Sequence, residues 1–266
     1  MLRFLWGAFA LACGIVQVCA GSAPPPDDSS SAPMRFDWRR EGPAEVCASN
    51  CRVWISAQGY ITADTARDFE DFAAKNPNAR GAVLVLDSDG GSVLGTLALG
   101  RAIRALDMVT TVGKTIALPA SGKDGARATL SPNANCESMC AFLLLAGAQR
   151  YVPPQAHVLV HQIWLGKKRK HALESNYSAE ELNVVQRDIG RLAQYTVEMG
   201  GGVELLETAL RVPPWEPLYR LSMDELQRMR LNTVETAFAQ KEPRVQSASA
   251  IGSIATVGQQ RDTPRQ

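Results

Sequence analysis

The chain has 266 residues and a mass of 28.8 kDa, with 45% hydrophobic and 21% charged residues. This composition excludes wholesale disorder, a collagen-like repeat and a multi-span membrane protein. The 28 Lys and Arg face 27 Asp and Glu, so no global charge draws the chain onto nucleic acid or an anionic surface.

Arg3 is the only charge in the first twenty residues, residues 4–18 are almost wholly apolar, and Val18-Cys19-Ala20 precedes Gly21. This is the pattern of a secretory signal, residues 1–20, removed after Ala20. An uncleaved anchor is the rival, although a spanning helix needs roughly 20 apolar residues and this run is shorter. Export across the inner membrane to the periplasm governs the cysteine chemistry. Cys13 and Cys19 leave with the signal, and Cys47, Cys51, Cys136 and Cys140 remain, an even number in an oxidising compartment. Both pairs have CxxxC spacing, which favours disulfides over a four-thiolate zinc site. Four cysteines allow three connectivities, and the sequence does not choose among them.

Residues 21–34 are Pro, Ser and Asp with few apolar groups, too little to order a fold. We draw a flexible linker over 21–45, one α/β domain over 46–240 and a disordered tail over 241–266. In chain order, 52–56 and 60–62 read as a strand pair about Gly59, and 63–75 as a helix capped by Thr62 or Asp64 with Phe69 and Phe72 inward. Residues 82–86 are a continuous apolar run, as in a strand buried on both faces. A turn, Asp87-Ser88-Asp89-Gly90-Gly91-Ser92, leads to a helix over 93–106, with Leu99, Ala102, Ile103 and Leu106 at helical spacing. A strand is predicted at 108–112, a loop over 118–135, a buried helix over 138–147, and short strands at 151–152 and 157–161. Helices follow over 178–200, from a near capping box at Ser178, and over 203–211. Alternating strands and helices imply a largely parallel sheet.

Ser138 stands at a loop-to-helix junction within Cys136-Glu137-Ser138-Met139-Cys140. Taken alone it reads as an N-cap. The alternative is a nucleophile, because the unpaired N–H groups of a helix start favour a developing oxyanion. Gly90-Gly91 permits a strained turn that a substrate carbonyl could approach closely, but does not match GxGxxG or a P-loop. His161 ends an apolar strand and could act as a general base. His157 would start that strand, and His171 follows the basic run Lys167-Lys168-Arg169-Lys170. No HExxH pair is present, so a zinc hydrolase is unsupported.

Taken together, D-S-D-G-G-S-V, E-S-M-C-A-F-L-L-L-A-G-A, R-Y-V-P and V-L-V-H-Q resemble the Clp protease proteolytic-subunit family, within the wider Clp protease/crotonase superfamily. That family has an S-P-G-G turn, a Ser-Met-Gly-Ala-Phe-Leu-Leu-x-Ala-Gly helix and a Met-Ile-His-Gln strand. The resemblance covers residues 53–236 and is concentrated in 82–162. It implies a single-domain α/β fold, a spiral of mostly parallel strands covered by helices. It implies a serine peptidase in which Ser138 is the nucleophile, His161 the base, and the N–H groups of Gly91 and Met139 the oxyanion donors. No metal or organic cofactor is implied, and the exported context resembles a periplasmic branch without an ATP-driven partner. The substrates implied are peptides or unfolded proteins.

Asp89 stands where the family has Pro, and Cys140 where it has Gly. A Cys136–Cys140 bridge would bracket the nucleophile. The family's acid lies four residues before the serine of a Leu-Ser-x-x-Glu segment, and here that place is Leu218. Glu216 is the nearest upstream carboxylate and the candidate third member. Without it the site would be a dyad, or an inactive peptide-binding or assembly module. An acyl-CoA enzyme is a further alternative, which export away from coenzyme A disfavours. The helix over 178–200 corresponds to the family's handle, which leaves a homo-oligomer open. The basic run at 167–170 reads as a solvated loop or as a contact to a membrane surface.

Overall fold

The computed structural model describes residues 32–47, 50–119, 126–165 and 176–238. The signal segment 1–20, the start of the linker, the basic run with His171 and the tail lie outside the described residues. The protein is an α/β fold with a mostly parallel sheet and flanking helices.

The ordered fold starts inside the expected linker. Strand β1, Arg35–Glu41, is followed by the short helix α1, Ala44–Cys47. β1 pairs antiparallel with β2, Val53–Gln58, over Arg35↔Gln58 to Arg40↔Val53. Phe36 and Trp38 alternate with charged residues and pack against the core, which is what holds this segment. The expected 52–56/60–62 hairpin does not form. Tyr60 and Ile61 make only isolated bridges, and β2 pairs instead with β1 and, in parallel, with β3, Val83–Asp87.

Helix α2, Thr65–Lys75, buries Phe69, and neither Thr62 nor Asp64 caps it with a side chain, since Thr62 bonds to Thr65 instead. Helix α3, Val93–Ala105, is capped by Ser92, whose Oγ accepts from the Gly95 N–H at 3.1 Å. β4, Val109–Val112, and β8, Gln149–Tyr151, extend the parallel run from β3. Within the expected loop over 118–135, residues 127–131 and Asn135 belong to the sheets. β5, Lys114–Ala117, pairs antiparallel with β6, Arg127–Ser131, and β7 is Asn135–Glu137. The seven-stranded order is β5-β6-β1-β2-β3-β4-β8.

Successive residues of β2 and β3 face opposite sides. Ile55, Ala57, Leu84 and Leu86 join the main core under the helices, whereas Trp54 and Val85 form a small second cluster with Ala128. β5 and Phe238 cover that cluster. The Trp54 Nε1–H donates to Thr115 Oγ1 at 3.0 Å, and the Phe238 ring lies 6.3 Å from that of Trp54.

A second sheet has the order β10-β9-β7, from β9, His157–Val160, and β10, Tyr219–Arg220. Between β7 and β8 runs α4, Met139–Leu144, buried throughout. Helix α5, Ala179–Glu198, starts at a full capping box of Ser178 and Glu181, and α6, Glu204–Leu210, and α7, Met223–Arg228, complete the chain order. Among the described residues no helix is long and apolar enough to cross a membrane. Two disulfides form, Cys47–Cys51 and Cys136–Cys140, which fits an oxidising environment.

Candidate active site

The site lies where the two sheets meet. β3 runs out at Asp87, and the next residue, Ser88, bridges in parallel to Cys136 of β7. The Ser88 N–H donates to Asn135 O at 3.2 Å, and the Glu137 N–H donates to Ser88 O at 2.8 Å. The buried Ser88 hydroxyl donates to Gly59 O at 2.5 Å and accepts from the Gly90 N–H at 3.1 Å. The glycine turn and the turn carrying Ser138 are thus laced together by backbone and one hydroxyl.

Gly90 has φ +88°, and a Cβ there would lie 2.6 Å from Glu137 O and 2.9 Å from Ser138 Cβ. Only glycine lets the Ser138 turn pack this closely. Ile61 pins the other side of the turn, since its N–H donates to Gly90 O and its O accepts from the Ser92 N–H, each at 2.7 Å.

Ser138 has φ 54° and ψ −118°, a conformation that a non-glycine residue rarely adopts. It occupies the N-cap position of α4, yet its side chain makes no capping hydrogen bond. The simple cap reading therefore fails. The backbone is held by the Ser138 N–H donating to Leu159 O at 2.8 Å and by the Cys136–Cys140 bridge, with Cα atoms 5.1 Å apart. Both cysteines are buried. Strain of this kind persists only where the surroundings over-determine it, and costs about 1–3 kcal/mol.

Ser138 opens onto a cleft of 460 Å³ that is also lined by Gly91, Met139 and His161. The structure brings these four expected site residues together. Met139 is the first residue of α4, so its N–H has no carbonyl within the helix. His161 follows β9 directly, and its ring stands edge-on to Trp164 with centroids 5.8 Å apart. His157, at the far end of β9, does not line the cleft.

Glu216 is not brought to this cleft. It is exposed, in a turn closed by its own N–H donating to Pro213 O at 3.1 Å, while the apolar Val212 and Pro214 turn inward. β10 pairs antiparallel with β9 through Tyr219↔Val160 and Arg220↔Leu159, and Leu218, at the place where the resemblance expects the acid, immediately precedes that pairing. The carboxylates among the described lining residues are Asp89 and Asp188. The sequence reading passed over Asp188, which lies mid-helix in α5 among polar residues. The signal that could have found it is its position on the stripe shared with Val185 and Leu192.

At the base of the turn, burial pushes the Asp87 carboxyl above its usual range, partly offset by the Gln58 amide donating at 3.2 Å and by the charge of Lys114. Among the described residues no three His, Cys, Asp or Glu side chains gather to hold a metal ion. The arrangement offers a presented hydroxyl, an imidazole in the same cleft and two backbone N–H groups beside them, the parts of an acyl-transfer site. No protein-family model matches the chain, and no curated protein matches it.

Proposed function

We propose that the protein is an exported serine peptidase with a Clp protease/crotonase-like fold, working through an acyl-enzyme. The observation that carries this reading is the Ser138 backbone: a strained strand-to-helix turn that leaves the hydroxyl uncapped in a cleft shared with His161. Ser138 Oγ attacks a peptide carbonyl and its proton passes to His161. The carbonyl oxygen becomes an oxyanion beside the N–H groups of Gly91 and Met139. The C–N bond then breaks as the imidazolium returns the proton to the leaving amine. Water, deprotonated by His161, cleaves the ester and frees the acid. With Leu218 at the place expected for the acid, the roles assigned are Ser138 as nucleophile and His161 as base. The two disulfides suit a periplasmic location.

Leu218 also favours a second reading, a peptide-binding or assembly module that keeps the fold without turnover. A neutral alkyl fluorophosphonate separates the two. The first reading expects a single adduct on Ser138, absent in Ser138→Ala and slowed at least 100-fold in His161→Ala, as read by peptide mapping. Folded wild-type protein that takes no adduct would move the assignment to the binding module.

A further inference from the structure

We infer that the cleft selects a cationic side chain, that of Lys or Arg, through Asp188. The inward stripe of α5 consists of Val185, Asp188 and Leu192, spaced three and four residues apart on one helix face. Two of the three are aliphatic. Phe142 of α4 and Leu206 of α6 add apolar surface to the same cleft. A carboxylate on such a wall needs a cationic partner or water. The Asp188 side chain is only 14% exposed, and its ion pairs are long. Arg191 reaches Oδ1 at 3.4 Å and Arg187 the same oxygen at 3.8 Å. Both guanidiniums are about half exposed, on the solvent side of the helix. Such pairs are weak and easily exchanged, and neither uses Oδ2.

The second carboxylate lining the cleft is Asp89, and no described lining residue is Lys or Arg. An apolar passage with acid on its wall suits a side chain with a long methylene stem and a charged head. An ammonium or guanidinium head can donate a charge-assisted hydrogen bond to such a carboxylate. This assignment rests on the acyl-transfer reading for taking the occupant to be a side chain of a peptide substrate.

The test is binding of 4-aminobenzamidine, a fluorescent aryl amidine, to the full disulfide-bonded protein. Saturable binding is expected, weakened at least tenfold in Asp188→Asn, restored to within a few-fold in Asp188→Glu, and absent with the neutral 4-aminobenzamide. Thermal melting of each variant shows whether it is folded. No amidine binding, or equal binding to wild type and a folded Asp188→Asn, overturns the inference. Fluorophosphonate labelling of Ser138, run on the same samples, reads the other proposal separately. Labelling without a cation preference overturns only the selectivity. Amidine binding that depends on Asp188 in protein that takes no adduct supports the cation site and removes the acyl-transfer chemistry.

Discussion

Asp87 places a carboxyl under the glycine turn at an energetic cost. Burial raises its pKa in the folded state, and the Gln58 amide and Lys114 only partly offset this. Between the unfolded value, near 3.9, and the higher folded value, the folded protein binds more protons. Stability from this group therefore falls as pH rises through that window, and at neutral pH the charge is a net cost. Asp87→Asn keeps an oxygen for Gln58 and removes the charge. It is expected to melt above wild type at pH 7, with the gap closing toward pH 3, in thermal unfolding across buffers. A gap that widened in acid would contradict the assigned direction. At this scale the sequence named much of the site. Ser138, His161, Gly91 and Met139 carry chemical types that a site requires, and they meet. Glu216 is near the expected acid only in sequence. Its loop instead spends its inward positions on Val212 and Pro214, a matter of packing that no local pattern reveals.

The turn that bears Ser138 is an element with its own lock. The Cys136–Cys140 bridge closes a loop too short for a large effect on the unfolded chain, of the order of 2 kcal/mol in the chain-entropy view. Its larger effect is local, since it spans the residue with positive φ. Replacing both cysteines by Ala is expected to lower the melting temperature only modestly and to slow adduct formation at Ser138 by tenfold or more. Unchanged labelling would assign the turn's rigidity to the Gly90 contact and the Ser88 lacing alone. The far end of α4 is tied as firmly. Arg104 and the buried Arg150, the latter brought down to about 10 by burial and by Arg104, both donate to the carbonyls of Leu145, Gly147 and Met199. Through Met199 they also join α4 to the end of α5, the helix that carries Asp188. Elements with strong periodicity were legible: α3, α5 and β3 fall within a residue or two of their expected bounds. β6 and β7 were not. Arg-Ala-Thr-Leu-Ser and Asn-Cys-Glu have little strand character alone, and their partners, β1 and β9, supply it. β1 did carry alternation, Phe36 and Trp38 among charges, but adjoined a Pro/Ser-rich stretch and was read with it.

Over the whole molecule, the two sheets divide the work. The seven-stranded sheet supplies the core and the glycine turn, and the three-stranded sheet supplies Ser138 and His161 at neighbouring strand ends. The class of fold was readable from alternation of strands and helices, whereas the split into two sheets was not, because register between distant strands leaves no local trace. The unequal cover of the large sheet has a practical side. One face lies under helices. On the other, β5 and one ring from the end of the described chain, Phe238, cover Trp54, with the Arg52 guanidinium 5.1 Å from that ring. A chain shortened to end at residue 236 loses the buried Ala237 and the partly buried Phe238 ring; it is expected to melt below wild type, and its tryptophan emission should shift to the red. An unshifted spectrum and an unchanged melting temperature would show that β5 alone shields Trp54. The fold thus has a latch: the last described residues also help keep the back of the seven-stranded sheet dry. Loss of Phe238 would loosen the sheet behind the site without removing a residue that lines the cleft.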